Sequence, residues 1–571
     1  MTPIQKKRNL DASNPSYPKR GEILHINLPQ LKQSTGTLEP PRTTDSSIIN
    51  IAYCLYEGLM RPTEDGSAIQ GQAKTIEIDA TKRIYRFHLK TNHWCDGTLV
   101  QAQHFENTWK QILTGKIDCP NIYLFDYFKN AKAIREKRLP IDEVGIRSLA
   151  DDLLEVELES PFNAFLDLLA TYLFVPLHPM SIEGFLPDPN STSYPLISNG
   201  PFKLTHWIPN VELIFEKNEH FHRVDEISLK RIHFNYIGSE ISAIDRFINH
   251  SMDILGRPFP PSLVKHKAMR YLFQEGHFQT QMLASTTCAI LNLNRSPLNH
   301  PKLRRALSLA IDRTALARRL MMNEDCAATH LLPPVFNPET THSQLSNKRE
   351  LLEARRIFKE VIQEENIKPE DLFENLIIQY PHSELYFNLA MDLKEAWECI
   401  FDIKIRTQQF TLYELRTKLA QRTFSIVLLT WYPDYFHPLA LLNRLRSSSN
   451  SKNYTGWSDP HFSRLLEKAE NASTKEEGFQ LCIEAEKILL DAMPVIPLMH
   501  GRYAAMIQTY IKNFHISPQG IINFDKVYLD ENYEIEQNPL YSKRDKIVSL
   551  LQECIKPPFE YPIPVTDLLV R

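Results

Sequence analysis

The residues with the clearest chemical potential form one short aromatic segment: Trp431, Tyr432, Pro433, Asp434 and Tyr435. The segment follows an apolar, β-rich run at residues 424–429, so the pattern predicts a buried strand that ends in a loop. A carboxylate among aromatic rings suits a partly buried cation, such as the α-amino group of a peptide. An isolated W-x-x-D motif is more often a structural turn, so the rest of the chain has to decide between the two interpretations.

Local signatures of catalysis and of cofactor binding are missing from the sequence. It contains no P-loop, no G-x-G-x-x-G after a strand, no G-x-S-x-G and no H-E-x-x-H. His220 and His222 could place two imidazoles on one face of a strand, and His93 with Cys95 is a similar pair. Neither pair has further ligands at metal spacing. We therefore predict no catalytic residues, no metal and no cofactor.

Length and composition indicate an ordered protein of several domains. A chain of 571 residues is too long for one core, and 43% hydrophobic residues are typical of globular proteins. The net charge of −4, without a long basic run, argues against nucleic acid as a partner. The eight cysteines are scattered without C-x-x-C spacing, which favours individual buried thiols over a disulfide framework.

Targeting signals are equally sparse. The longest apolar stretch, residues 165–177, contains Asp167 and predicts a core helix rather than a membrane span. The first 20 residues are polar and basic and have no apolar segment of the kind that signal peptides carry. Two explanations stay open for this start: a processed or engineered terminus, or a cytoplasmic protein.

The elements that must position the aromatic segment form a mixed α/β pattern. Period-two alternation predicts strands at residues 22–29, 81–90, 153–158, 211–216, 376–380 and 424–429. Helical periodicity predicts helices at residues 45–59, 102–113, 161–177, 302–322, 349–364 and 384–399, with two more within 457–492. The stretch 302–322 reads as one helix or as two joined at Asp312. This mixture predicts an α/β protein with two sheets in two lobes.

Several motifs, taken in order, resemble one protein family. They are Leu38-Glu39-Pro40, Tyr56-Glu57-Gly58-Leu59, Tyr85-Arg86-Phe87, Trp94-x-Asp96-Gly97, Asn199-Gly200-Pro201-Phe202, Leu303-Arg304-x-Ala306-Leu307, Ala310-Ile311-Asp312-Arg313, Trp431-x-x-Asp434-Tyr435 and Pro494-x-Ile496-Pro497. Each motif alone is weak. Together, from about residue 22 to 534, they resemble the solute-binding proteins of ABC peptide importers, the oligopeptide- and dipeptide-binding family (family 5).

The resemblance implies a large two-lobed α/β clamp, the type II periplasmic-binding-protein-like fold with an extra subdomain. It implies the following division: residues 1–21 a leader or linker, residues 22–56, 185–280 and 504–534 lobe I, residues 57–184 the extra subdomain packed on lobe I, residues 281–503 lobe II, and residues 535–571 a C-terminal extension. The chain is then expected to pass between the lobes near residues 280 and 503.

The resemblance also implies a ligand site. In relatives the motif aspartate accepts the ligand's α-ammonium group, and Asp434 matches it. Trp431 and Tyr432 would line the adjacent pocket wall, and Pro433 and Tyr435 complete the loop. The stretch after Leu38-Glu39-Pro40 would pair with the peptide backbone as an added strand; its residues are Arg42, Thr43, Thr44, Asp45 and Ser46.

The sequence departs from some oligopeptide binders within this site. Thr44 stands where those relatives are acidic, and Leu428 stands where they have an arginine, so their contact with the ligand carboxylate does not carry over. Arg42 could supply cationic charge instead, or it could be a solvated surface residue. Tyr432 replaces a cysteine that forms a disulfide in some relatives, so that bridge is absent.

The function implied is a non-enzymatic, monomeric receptor. It would capture a short peptide between its lobes and deliver it to an ABC permease at the membrane, in the periplasm or cell envelope. The alternative is a cytoplasmic ligand sensor that reuses the fold. The missing signal peptide favours the sensor, whereas the 21 residues before the fold are too few for a helix-turn-helix domain.

Overall fold

The structure is a computed structural model that describes residues 22–28, 38–43, 46–182, 196–209, 211–237, 240–256, 278–321, 324–338, 348–364 and 376–530. Its strands are β1 Ile23–Leu28, β2 Met60–Pro62, β3 Ala68–Gln70, β4 Ala73–Ile78, β5 Ile84–Leu89, β6 Ile146–Ala150, β7 Leu153–Glu157, β8 Phe202–Ile208, β9 Glu212–Lys217, β10 Arg231–Tyr236, β11 Ile254–Gly256, β12 Phe278–Leu291, β13 Ile377–Pro381, β14 Arg406–Phe410, β15 Ile426–Trp431, β16 Val495–Ile507, β17 Ile511–Lys512 and β18 Tyr528–Leu529.

The helices alternate with these strands, as the sequence predicts for an α/β protein. They are α1 Ser46–Leu55, α2 Ala102–Leu113, α3 Ala131–Arg135, α4 Phe165–Leu169, α5 Pro179–Ile182, α6 Glu240–Ile248, α7 Pro301–Leu309, α8 Arg313–Leu320, α9 Lys348–Glu364, α10 Glu384–Phe401, α11 Leu412–Ala420, α12 Leu439–Leu442, α13 Pro460–Glu470 and α14 Lys475–Ala492. Short 3₁₀ turns include Pro40–Arg42, Ile122–Tyr127, Tyr172–Phe174 and Asn443–Leu445.

One ten-stranded sheet runs through the molecule, in the order β14-β13-β15-β12-β16-β11-β1-β10-β9-β8. We call the part with β11, β1, β10, β9 and β8 lobe I, and the part with β14, β13 and β15 lobe II. The prediction of two separate sheets is wrong. The reason is the length of β12 and β16, which have 14 and 13 residues and serve both lobes.

The two long strands form the junction between the lobes. Residues 278–282 of β12 pair with residues 502–506 of β16, and residues 286–290 pair with residues 495–500. Between these blocks the register shifts, from Met282 to Thr286. β16 also pairs with β11 of lobe I through residues 505–507, while β12 pairs with β15 of lobe II through residues 286–291, so these two neighbouring strands lie on opposite sides of the irregularity.

A second unit, which we call the subdomain, extends from β2 to α5. Its antiparallel sheet has the order β4-β5-β7-β6, and α2 buries Phe105 and Trp109 on its apolar face. Trp109 stacks on Phe128 with the ring centroids 5.4 Å apart. The helix predicted at residues 161–177 is wrong: only α4 and the turn Tyr172–Phe174 form there. Twelve of its seventeen side chains are buried and none is exposed, so its apolar run reflects burial on most sides rather than a long helix.

In lobe II the stretch 302–322 forms two helices, which confirms the alternative with a break at Asp312. The Asp312 carboxylate accepts a hydrogen bond from the Ala315 backbone N–H at 2.9 Å and caps α8. Trp397 of α10 is fully buried and donates its indole N–H to the Leu307 carbonyl at 2.9 Å. The second bond joins α10 to α7, and apolar side chains of all three helices share one buried cluster with Ile378 and Ile426 of the lobe II strands.

Cysteines and metal ligands add no cross-links to the described residues. The seven cysteines there are all free; five are buried, Cys95 is half-buried and Cys399 is exposed, so the prediction of buried thiols is wrong for Cys399.

His222, one of the histidines considered as a metal ligand, instead pairs with Glu57 at 2.6 Å. In the part of the chain that the structure describes, no cluster of three or more metal-ligating side chains is placed to hold an ion. None of the described helices combines the length and the apolar character that a membrane crossing needs.

The lobe junction leads to a first prediction, at Gly501. A Cβ atom added there would overlap the Ser285 hydroxyl, whereas the Leu283 and Ser285 Cβ atoms lie at an acceptable 3.4 Å. The Ser285 hydroxyl is buried and has no hydrogen-bond partner among the described residues. Gly501→Ala should therefore lower the free energy of unfolding by about 1–3 kcal/mol. In a Ser285→Ala background most of this loss should disappear, and strictly additive effects in denaturant unfolding would contradict the overlap.

Candidate ligand-binding site

The aromatic segment begins inside a central strand. Trp431 is the last residue of β15 and pairs with Thr286 of β12, immediately beside the lobe junction. Its side chain is 2% exposed. The predicted strand is confirmed but extends to Trp431, and the loop that follows leaves the sheet next to the junction. Tyr432 is 46% exposed there.

Asp434 is half-buried and already has a cationic neighbour. The Arg444 Nη2 atom lies 3.4 Å from Asp434 Oδ1, and their side chains are only 14% and 19% exposed. The same Nη2 donates a hydrogen bond to the Tyr432 carbonyl at 2.6 Å. The guanidinium carbon lies 5.6 Å from the centroid of the Trp431 ring. Arg444 therefore contacts the backbone, the carboxylate and the indole of the aromatic segment at once.

Two tyrosines of the subdomain, Tyr172 and Tyr123, are close enough to Asp434 to be affected by its charge. Burial raises the pKa of Tyr172 to about 12, and the nearby Asp434 carboxylate contributes to the rise. Burial and then Asp434 also raise the pKa of Tyr123. Lys452 lies 4.8 Å above the Tyr123 ring. Its pKa is lowered by burial, while the attraction of Asp434 opposes that shift.

Tyr435 packs lobe II against the subdomain. It is 3% exposed, its hydroxyl lies 3.3 Å from the Tyr127 hydroxyl, and its ring meets Phe162 edge-on at 5.7 Å. Pro433, between Tyr432 and Asp434, is half-buried. Within the aromatic segment, Tyr432, Pro433 and Asp434 are therefore the residues that retain accessible surface.

The second predicted segment lies at the start of α1. Arg42 donates from Nε to the Glu39 carboxylate at 2.5 Å, and Thr43 is 2% exposed with its N–H bonded to the Pro40 carbonyl. Thr44 and Asp45 lie outside the described residues, and only the backbone of Ser46, the first residue of α1, is described. The turn Pro40–Arg42 packs on the turn Tyr172–Phe174. Because Tyr172 is near Asp434, the two predicted segments are linked through Tyr172.

Three groups at this site were not found from the sequence: Arg444, Lys452 and the subdomain tyrosines. Arg444 comes ten residues after Asp434, and the single turn of α12 brings it back onto the loop. Tyr123 is more than 300 residues away in the chain. No local pattern marks either one. The assembled site offers charged and hydrogen-bonding groups in an aromatic setting, which suits reversible binding of a polar ligand.

Known proteins are similar in sequence to this chain over most of its length. The profile of the family described as bacterial extracellular solute-binding proteins, family 5 Middle, matches residues 68–453. The oligopeptide-binding protein OppA of Bacillus subtilis is 25% identical over 479 residues, covering 83% of this chain and 87% of that protein. The periplasmic murein peptide-binding protein MppA of Escherichia coli is 24% identical over 512 residues, covering 87% and 92%.

Solved structures share the fold. The Escherichia coli murein tripeptide binding protein MppA superposes with a TM-score of 0.75 at 22% identity, covering 89% of this chain and 99% of that one. Listeria monocytogenes OppA bound to peptide gives a TM-score of 0.71 at 20% identity, with the same coverage. The two-lobed α/β architecture predicted from the sequence is confirmed by this likeness.

Proposed function

This chain belongs to family 5 of the bacterial extracellular solute-binding proteins, and on that premise we propose that it is the peptide receptor of an ABC importer. It captures a short peptide between lobe I and lobe II and releases it to a membrane permease. Relatives named for oligopeptide and murein peptide binding, each matched over most of its length, support the choice of ligand. The cytoplasmic sensor has no counterpart among the relatives named above.

The observation that carries the proposal is the position of Asp434. It stands beside the lobe junction, half-buried, at the end of a central strand and against aromatic rings of the subdomain. A carboxylate held there can accept the α-ammonium group that all unblocked peptides share, irrespective of their side chains. We propose that it does so, with Tyr432 and Pro433 beside it and the segment from Arg42 to Ser46 along the peptide backbone.

The setting we propose is the cell envelope, with the permease subunits as partners and the receptor acting as a monomer. Nucleic acid is not a partner in this proposal, because the chain has no excess of basic charge. The receptor is not an enzyme and needs no cofactor. Family membership supports the extracytoplasmic setting, since the family is described as extracellular.

Binding should appear as stabilisation without turnover. A ligand selective for the native state stabilises it by RT ln(1 + [L]/Kd), about 2.7 kcal/mol at a hundredfold excess over Kd. We expect a thermal-shift panel of di- to pentapeptides to raise the melting temperature for at least some of them. Chromatography of the same mixtures should recover the peptides intact. Hydrolysis by the purified protein, or no shift with any peptide, would overturn the proposal.

The lobes should close on the ligand about β12 and β16. We propose residues 22–56, 185–280 and 504–534 as lobe I, residues 57–184 as its subdomain and residues 281–503 as lobe II, with residues 1–21 and 535–571 as appendages. Hinge closure around a ligand should reduce the radius of gyration measured by small-angle scattering. An unchanged radius at saturation, with saturation checked by calorimetry, would contradict closure.

A further inference from the structure

The surroundings of Asp434 carry more positive charge than one carboxylate balances. Arg444 lies 3.4 Å from it, and the Asp434 carboxylate opposes the lowering of the Lys452 pKa that burial causes. Arg416 of α11 contributes to the field at Lys452 and at Tyr454. Two half-buried cationic side chains, Arg444 and Lys452, thus lie near one carboxylate, while Arg416 is exposed. An ammonium group that entered alone would add a third positive charge beside this one carboxylate.

Two buried hydrogen-bond donors next to Asp434 also lack acceptors. The Arg444 Nε and Trp431 Nε1 atoms are shielded from solvent, and neither has a hydrogen-bond partner among the described residues. The guanidinium lies over the indole, 5.6 Å from its centroid, so the two donors belong to one small region. Buried N–H groups without an acceptor are costly. An incoming anionic oxygen would satisfy them and would offset the surplus charge.

We propose that this region, lined by Arg444, Trp431 and Lys452, binds a carboxylate of the ligand beside Asp434, and that Arg444 is the residue that selects for it. The inference rests on the proposed peptide-binding function. In the arrangement we favour, Asp434 receives the α-ammonium group, while Arg444, Lys452 and the Trp431 N–H receive an acidic side chain near the peptide's amino terminus. The same chemistry could come from the C-terminal carboxylate of a peptide, and the experiment separates the two sources.

The test uses two pairs of peptides that differ in one charge. Glu-Ala-Ala is compared with Gln-Ala-Ala, and Ala-Ala-Ala with its C-terminal amide, by calorimetry on the full chain. We expect Glu-Ala-Ala to bind at least about tenfold more tightly than Gln-Ala-Ala, as charge-assisted pairing in a desolvated pocket does. A tenfold loss on amidation, without the side-chain preference and abolished by Arg444→Gln, would instead identify the C-terminal carboxylate as the group bound by Arg444.

Arg444→Gln should abolish the preference, bringing the affinity ratio of the charged to the neutral peptide close to one. Arg464→Gln, at an exposed position of α13, removes the same charge from lobe II and should leave the ratio unchanged. If Arg444 only holds the loop through the Tyr432 carbonyl, Arg444→Gln would lower the affinity for both peptides by the same factor. Lys452→Gln should lower the ratio as well, and it provides a second variant should Arg444→Gln fold poorly.

The outcomes separate this inference from the function on which it rests. Equal affinity of the wild type for both members of each pair would overturn the carboxylate site and leave the peptide receptor standing. If no peptide of either pair and none of the thermal-shift panel binds, both proposals fail.

Discussion

Asp434→Asn is expected to weaken the binding of peptides with a free amino terminus by a factor of about thirty to several thousand. Loss of one partner from a desolvated charge pair costs roughly 2–5 kcal/mol, and about 1.4 kcal/mol corresponds to a factor of ten. Asparagine has nearly the same size as aspartate. It keeps a side-chain oxygen that can accept a hydrogen bond from Arg444, whose Nη2 atom lies 3.4 Å from Asp434 Oδ1 in the wild type. The fold should therefore survive, and calorimetry measures the change in affinity directly.

Two controls identify the ammonium group as the source of the effect. N-acetylated peptides should bind the wild type weakly and should lose much less affinity on the substitution, because they carry no charge for Asp434 to pair with. Asp491→Asn, at an exposed position near the end of α14, removes the same charge without touching the site and should leave all affinities unchanged. If the Asp434 variant binds free and acetylated peptides as the wild type does, the ammonium group binds elsewhere.

The motifs that could be recognised in the sequence are mostly those that build the backbone framework. The Asn199 side chain donates to the Glu57 carbonyl at 2.9 Å and accepts from the Glu57 N–H at 3.2 Å. Arg313, the first residue of α8, donates to the Pro497 carbonyl at 2.9 Å. Such residues are tied to fixed backbone positions, so their types and order reveal the fold. They explain why the two-lobed architecture was predictable.

The composition of the ligand site was less predictable, because it depends on residues that meet only in three dimensions. Asp434 stands in a motif, whereas Arg444 and Tyr123 reach it from positions that no spacing rule connects. The helix predicted at residues 161–177 was too long for a related reason: most of this apolar stretch is buried, and burial there does not follow a helical period. Likewise, no local sequence feature shows whether the strands of the two lobes form two sheets or one sheet that is joined through β12 and β16.

A buried network of charges fastens the subdomain to lobe I. Arg61 donates to both oxygens of Asp525, at 2.9 and 3.0 Å, and lies 3.4 Å from Glu57. Glu57 also accepts from Arg223 at 2.9 Å and from His222 at 2.6 Å. Burial by itself lowers the pKa of Arg61, but the Asp525 and Glu57 carboxylates outweigh it and raise the pKa. The network connects three distant parts of the chain, and its two carboxylates balance its two guanidinium groups.

Arg61→Met should lower the free energy of unfolding by about 3–5 kcal/mol, because it leaves the buried Asp525 carboxylate without its main partner. Arg61→Lys should fall between this variant and the wild type, since lysine keeps the charge but cannot bind Asp525 through two parallel hydrogen bonds. Arg86→Met is the matched control: Arg86 pairs with Glu155 at 2.9 Å in the same subdomain, but its side chain is 46% exposed. An exposed pair of this kind contributes about 0–1 kcal/mol. Denaturant unfolding of the three variants measures these differences, and equal losses for Arg61→Met and Arg86→Met would show that the network does not hold the subdomain in place.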